Sequence, residues 1–472
     1  MLSSELRFPS DGQPDPVMQA ELSALPTPVR MHADPHHTGR GVTLAMVDSG
    51  FYPHPDLIRP RNRIRAWVDA TREPVEAYFY GPSEVPRWPR WNQGEGLQWH
   101  GTMTTTVAAG RGTESAGLYR GIASEADLAL IQVCDSDGRI PDASIVRALR
   151  WLWENAERLR LRVANLSVVG DGPAKPGNAI DSAASALVRR GVVVVCASGN
   201  DGVRRLLPPA TCPDAITVGG VDEQHPLQQN HRVLWHSNYG ESTIGALKPE
   251  LVAPSIWVVA PILPGTKEHA RAAELFAARA AGDAGVEDEI QQQKLITAHY
   301  KLVEGTSFSA PIVASTIACM IEANPSLTPD IVRQCLSQSC EFLPGAPAEQ
   351  QGLGAIDSGQ AVAQALRAKG GAMEGYAPSP QMTAQGAVFY LRHGEPRRVE
   401  VFGSWNHWRK GYDARQIDPG IWRALVPVVA PGRHVYKFLL DGKRWVDDPA
   451  NPRKVRDGHG GFNSILVVPV AG

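Results

Sequence analysis

A serine that acts as a nucleophile on a carbonyl needs a base for its hydroxyl proton, an acid to orient that base, and donors for the developing oxyanion. The chain offers a candidate for each role. Asp48 directly follows the apolar run Leu44-Ala45-Met46-Val47. That places it at the carboxyl end of a strand, where open α/β sheets build their sites. On local evidence alone it is equally a turn Asp before Ser49-Gly50. His100 opens His100-Gly101-Thr102 and a helical stretch through Val107-Ala108, so its ring suits a base facing a cleft. The triplet is weak by itself, since the chain has 14 His, among them His54 close to Asp48. Ser307 lies in Gly305-Thr306-Ser307-Phe308-Ser309-Ala310-Pro311, ahead of the helical pattern Ile312, Val313, Ile317, Ala318 and Ile321. Small residues let another chain approach, and a helix N-terminus adds free N–H groups and a favourable dipole. Asn200 ends Ala197-Ser198-Gly199-Asn200. Its amide suits one oxyanion donor, with the Ser307 N–H as the second; the plainer reading is a turn Asn.

These residues need a frame. Val42–Val47, Leu128–Val133, Val163–Val168 and Val192–Ala197 read as buried strands. Between them Ile145, Leu149, Leu152, Trp153 and Ala156, and then Ile180, Ala184, Leu187 and Val188, recur at helical spacing. Strand and helix alternating in this way predict βαβ units and a parallel sheet covered on both faces. Thr328-Pro329 opens a further helix, with Thr as N-cap. Residues 266–298, Ala-rich and charged, read as a partly helical surface insertion. Residues 1–30 are a polar, Pro-rich extension, and 31–367 hold the α/β domain. Residues 368–386 have linker composition. From 387 to 472 the pattern is strands and turns alone: Ala387–Leu391, Arg398–Phe402, Ile421–Val426, His434–Leu440 and Ser464–Val468. That predicts a small all-β sandwich.

A length of 472 residues requires more than one core. A net charge of −2 gives no reason to expect nucleic acid or a membrane surface as a partner. No apolar run approaches a membrane span, and the first thirty residues lack a secretory pattern, so a cytoplasmic location is the expectation. The six Cys form no CxxC pair, which argues against a zinc ribbon. Cys196, inside an apolar run, suits a buried thiol. In the last domain Trp408, Lys437, Trp445 and Asn463 could converge on one face: rings for flat sugar faces, polar groups for hydroxyls. The competing reading is that these Trp plug the core.

Taken together, VDSG at 47–50, HGT at 100–102, NLS at 165–167, ASGN at 197–200, KPELVAP at 248–254 and GTSFSAP at 305–311 resemble the subtilisin-like serine peptidases. They stand in that family's order, Asp then His then Ser, over about residues 30–365. The resemblance implies a subtilisin-like parallel sheet with helices on both faces and a serine endopeptidase acting on protein or peptide. Ser307 would be the nucleophile, His100 the base, Asp48 the orienting carboxylate and Asn200 an oxyanion donor. Ser167, Val168, Val169 and Gly170 would form one wall of the substrate pocket, and Ala197, Ser198 and Gly199 the other. No cofactor is required; relatives bind structural calcium, but no ligand cluster stands out, so calcium stays unassigned. Some departures are evident. The family's HGTHVAG reads HGTMTTTVAAG here. Ser255 replaces the usual Gly after KPELVAP. The long Asp-to-His stretch holds a Trp-rich segment, 88–99, expected near the cleft. No separate folding pro-domain is evident, and residues 1–30 are candidates for occluding the cleft.

SWNHW, HVYKFLLDGKRW, DDP and GFNS resemble the glycogen-binding modules of the isoamylase N-terminal and AMP-activated kinase β type, an immunoglobulin-like sandwich. That implies an α-glucan face made by Trp408, Lys437, Trp445 and Asn463. Gly461 stands where a polar residue often helps, and many members of that superfamily serve as docking domains instead. The alternative to an active peptidase is a catalytically silent scaffold that binds glycan or a partner. A glycan-cleaving enzyme would need a carboxylate pair in a sugar cleft, which the first domain does not offer.

Overall fold

The computed structural model describes residues 25–84, 86, 97–223, 232–369, 372–373, 379–383, 385–418, 420–427, 429–451 and 453–468. Residues 1–24, most of the proposed occluding extension, and 87–96, most of the Trp-rich segment, lie outside that set. Among the described residues the main sheet has eleven strands. In chain order the first seven are β1 (Thr43–Asp48), β2 (Ile64–Asp69), β3 (Glu76–Phe79), β4 (Asp127–Gln132), β5 (Leu161–Leu166), β6 (Val193–Ala197) and β7 (Ile216–Glu223). Across the sheet the order runs from Cys340–Glu341 through Ala355–Ile356, Leu251–Pro254, β7, β6, β5, β1, β4 and β2 to β3. The central strands are parallel, with β1 between β4 and β5. The chain order therefore reverses around β1, the switch point at which open sheets leave a crevice.

Alternation along β1 explains why its whole run is apolar. Leu44 and Met46 face one layer together with Leu128, Leu130 and Val195. Ala45 and Val47 face the other with Ile131, Leu166 and Cys196. Helices α1 (Gln98–Ala109), α2 (Asp142–Leu159), α3 (Ala179–Arg189) and α4 (Thr306–Ala323) cover these faces. Val107, Phe308, Ile312 and Ile317 from α1 and α4 pack on the first layer. Ile145, Leu149, Leu152, Ile180 and Leu187 from α2 and α3 pack on the second. Trp153 differs from the expected core stripe. It falls at the edge of the α2 face, is 44% exposed, and lies 5.1 Å from the Arg190 guanidinium. The helix Pro329–Ser337 starts as expected, its Thr328 cap accepting from the Ile331 N–H. Helix α4 is long and apolar enough to cross a membrane, but it is 83% buried inside the protein.

Residues 266–298 fold mainly as helices Lys267–Ala280 and Glu287–Gln292, held by a small core of Ile262, Ala272, Leu275, Ile290 and Leu295. All six cysteines carry free thiols, and Cys196 is fully buried.

The C-terminal part is two antiparallel sheets around Phe389, Val401, Trp422, Tyr436, Phe438 and Leu466. One departure concerns its start. Gln381–Thr383, within the stretch expected to be linker, pairs with Gly386–Arg392 as a tight hairpin. Its side chains are polar or half-exposed, so an edge strand there leaves no apolar pattern to read. Buried Asp448 braces this domain, accepting from Tyr436 (2.6 Å) and Ser379 (2.5 Å). Burial raises the Asp448 carboxyl to about 6, against the pull of those hydrogen bonds and of Lys454.

Candidate active site

Asp48 is the last residue of β1 and is fully buried. Its Oδ1 accepts from the Ser49 N–H at 2.7 Å and meets His100 Nδ1 at 2.6 Å. His100 is the third residue of α1, with its side chain 23% exposed. The two meet because Gly101 lets α1 sit directly on the turn after β1. A Cβ at 101 would lie 2.2 Å from the Gly50 carbonyl oxygen and 3.0 Å from the Asp48 Cβ. Burial pushes the His100 imidazole down, but the Asp48 charge and hydrogen bond more than offset this, so it ionises above its ordinary range.

Ser307 is the second residue of α4, so its N–H is among those with no acceptor inside the helix. Its carbonyl accepts from Ser167 Oγ at 2.9 Å, and Ser167 in turn accepts from Asn165 Nδ2 at 2.9 Å. The Asn-Leu-Ser block thus ties the end of β5 to the start of α4. Phe308 places its ring 5.9 Å from that of His100.

Asn200 follows the end of β6. Its Oδ1 accepts from the Thr306 N–H (3.0 Å) and Thr306 Oγ1 (2.8 Å). With the oxygen so occupied, the amide N–H₂ is the end left for a ligand. Gly199, at φ +106°, makes the turn, and a Cβ there would meet Asn238 Nδ2 at 2.6 Å. Asn238 Oδ1 accepts from the Asp201 N–H at 2.8 Å, fixing the loop from the far side. The departure at Ser255 is accommodated: its buried hydroxyl contacts that of Ser309, which donates to the Pro254 carbonyl at 3.0 Å.

Asp48, His100, Ser307 and Asn200 line one cleft of about 450 Å³, with Ser167, Val168, Val169, Ala197, Ser198 and Gly199. Gly170 is the expected wall residue that does not line it. It is packed beneath Asp142 and Ile180, where a Cβ would lie 2.1 Å and 2.7 Å from their side chains. Leu97, Trp99, Cys134, Ile140 and Leu207 add an apolar part to the lining, and Ser49, Asp201, Asn238 and Thr306 a polar one. Trp99 is the described tryptophan of the Trp-rich segment; it is 47% exposed, its ring edge-on to His100 at 5.3 Å. Burial, then the Asp135 and Asp48 charges, push the Cys134 thiol up. Sequence reasoning did not single out Thr306, Asn238 or Thr104. The signal for Thr104 was there: three consecutive threonines inside a helix covering the core.

The second expected constellation also shares one face. Trp408 and Trp445 approach edge-to-face at 6.1 Å, and Phe402 lies 5.2 Å from Trp445. Trp445 is 46% exposed. Lys437 and Asn463 are on adjacent strands, Gly432–Leu440 and Phe462–Val468. Trp405 and Trp422 instead belong with the core. Lys437 is ion-paired with Asp457, a partner not anticipated. That pairing, with hydrogen bonds from the His459 and Gly461 N–H groups, holds the Asp457 carboxyl well below the usual range.

A switch-point crevice with a carboxylate, an imidazole, a serine and an amide donor at strand and helix ends is the equipment of a serine hydrolase of α/β type. The chain belongs to the subtilase family, whose model matches residues 39–357. It is thus a subtilisin-like serine protease in fold and family. The serine protease AprX of Bacillus subtilis is 27% identical over 334 residues, covering 69% of this chain and 67% of that protein. Subtilisin BL of Lederbergia lenta is 30% identical over 307 residues, covering 65% and 86%. Among solved structures, a protease from Pseudoalteromonas arctica shares the fold at TM-score 0.51 and 21% identity, covering 72% of this chain and 94% of that one. Fervidolysin from Fervidobacterium pennivorans does so at 0.50 and 17%, covering 85% and 53%. Residues 388–471 match the model for the glycogen recognition site of AMP-activated protein kinase.

Gly101→Ala tests the close approach of α1 to β1. Displacing His100 by about 1 Å is expected to cut peptidase kcat/KM at least about 100-fold, with a lowered thermal midpoint. A casein or peptide assay beside a melting curve checks both.

Proposed function

We propose that this protein is a serine endopeptidase in which Ser307 is the nucleophile, His100 the general base and Asp48 its orienting carboxylate. The observation that carries the reading is the 2.6 Å contact between His100 Nδ1 and Asp48 Oδ1 at the edge of the cleft that Ser307 lines. With Nδ1–H given to Asp48, the other ring nitrogen is free to take the Ser307 proton. The Ser307 oxygen then attacks the scissile carbonyl. The oxyanion is held by the Ser307 N–H and the Asn200 amide, whose orientation Thr306 sets. Losing one such donor typically costs about 2.7–4 kcal/mol. Collapse of the tetrahedral adduct passes the proton from His100 to the leaving amine, and water repeats the sequence to release the acyl group. The substrate lies extended between Ser167–Val169 and Ala197–Gly199, paired through its main chain. Val168 and Leu207 favour an apolar side chain before the cut. Retention of all four reactive side chains in one cleft speaks against a silent scaffold.

The same proposal assigns the C-terminal domain an α-glucan ligand, stacked on Trp408 and Trp445 and hydrogen-bonded by Lys437 and Asn463. The edge-to-face pair beside a half-buried Lys and Asn on one surface supports it, together with the family match over that stretch.

Treated with a fluorophosphonate probe, the folded protein is expected to be labelled at Ser307, and Ser307→Ala to lose both label and turnover. Labelling elsewhere, or turnover kept in that variant, would overturn the assignment. The base works only as neutral imidazole, and the folded protein raises its proton affinity. Activity should therefore fall as pH drops through an apparent pKa above about 6.5, read from kcat/KM against pH. In the other domain, Trp408→Ala with Trp445→Ala is expected to abolish retention on a glycogen column without altering peptidase turnover. Retention surviving both changes would refute the sugar face.

A further inference from the structure

We propose that Thr104 is a positioning residue of the peptidase reaction, its hydroxyl holding the outer oxygen of Asp48 so that the inner oxygen stays aligned on His100. The proposal rests on the assignment of Asp48, His100 and Ser307 above. His100 and Thr104 are four residues apart on α1, one turn on the same helix face. The helix therefore brings both side chains to one carboxylate. His100 meets Oδ1 at 2.6 Å, and Thr104 Oγ1 donates to Oδ2 at 2.8 Å. Oδ1 has a second donor in the Ser49 N–H. Oδ2 has Thr104 as its one donor among the described residues. Asp48 and Thr104 are both at 0% exposure, so bulk water does not substitute.

The hydroxyl has one proton and two acceptors in reach, since the Gly101 carbonyl is 3.1 Å away. That carbonyl already receives the Thr105 hydroxyl at 2.6 Å. Oδ2 has no such alternative, and a donor to an ionised acceptor forms the stronger bond. The Thr104 hydroxyl therefore donates to Asp48. An aliphatic residue at 104 would fill the same space and leave half of a buried carboxylate unpaired. Two consequences follow. The carboxylate would be free to turn about its χ2, carrying the imidazole it holds out of line with Ser307. Its charge, less stabilised by donors, would also bind the imidazolium more tightly and make His100 a base only at higher pH. Among the described residues, the titratable groups facing Asp48 are His100 from α1 and Cys134 beyond the end of β4. Asp135 also acts on Cys134. Among the described residues, Asp48 is the charged partner that sets the ionisation of His100.

The test uses the full chain with Thr104→Val, Thr104→Ser and, as control, Thr106→Val. The Thr106 hydroxyl bonds the Thr102 and Met103 carbonyls and so removes a buried helix hydrogen bond without touching Asp48. Thr104→Val is expected to lower kcat about 5- to 30-fold with KM within about twofold, and to move the acid limb of the pH profile up by about half a unit or more. Thr104→Ser should restore both, and Thr106→Val should leave the limb in place. If Thr104→Val does not fold, as a melting curve reports, Thr104→Ala removes the hydroxyl without a new branch and serves the same comparison. An unshifted limb with unchanged kcat, failure of Ser to restore, or an equal shift in Thr106→Val each overturns the role. Ser307→Ala separates the two levels. If it keeps turnover, the triad assignment falls and this inference with it; if it loses turnover while Thr104→Val behaves as wild type, only the Thr104 role falls.

Discussion

The site depends on a contact between backbones. Helix α1 rests on the turn after β1 with no side chain between them, because residue 101 is glycine and its Cβ position is occupied by the Gly50 carbonyl. From that approach follows the rest of the constellation. His100 reaches Oδ1 of Asp48, Thr104 reaches Oδ2, and the Thr102 hydroxyl accepts the Tyr52 N–H at 2.8 Å on the adjoining turn. A buried carboxylate is costly unless its charge is paired and its lone pairs are met. Here one helix and one turn meet it from both sides.

The second support is the start of α4. Its N-terminus is tied to two different strands: to the end of β5 through Ser167 and the Ser307 carbonyl, and to the loop after β6 through Thr306 and Asn200. Ser307 and the Asn200 amide are thus both held at the start of one helix. Such geometry suits a reaction whose gain comes from donors already in place when charge develops. Around these fixed groups the wall with Leu97, Trp99 and Ile140 is apolar. The C-terminal sandwich has its own core and its own polar anchor at Asp448. Arg453 reaches Asp214 of the first domain at 2.7 Å, and Arg456 reaches Glu349 at 2.9 Å.

Much was legible before any coordinates. The four strands of the first half lie where the apolar runs placed them, to within two residues. So do the Thr328 cap and the five sandwich strands that the apolar pattern marks, out of ten described there. They were legible because burial on both faces of a parallel sheet leaves an unbroken apolar run, and burial on one face of a helix leaves a stripe. Gln381–Thr383 escaped because an edge strand with polar side chains carries no period. Trp153 was misplaced because spacing alone does not say where a buried stripe ends. Gly170 has the place of a wall residue in the sequence, but whether a main-chain segment faces a cleft or a helix depends on the neighbouring element, here Asp142 of α2.

By itself the sequence determined the residue types, their order along the chain and the ends of strands or helices on which each one sits. Asp after an apolar strand, His and Ser at helix starts, and Asn after a second strand are local facts, set by periodicity and capping. Only the tertiary structure decided which of them meet. That Asp48 takes His100 on one oxygen and Thr104 on the other depends on packing between segments far apart in the chain. So do Thr306 turning the Asn200 amide and Lys437 being paired with Asp457. Contacts of that kind leave no local pattern. They arise because a close-packed interior must satisfy each buried polar group with whichever neighbour the fold brings within about 3 Å.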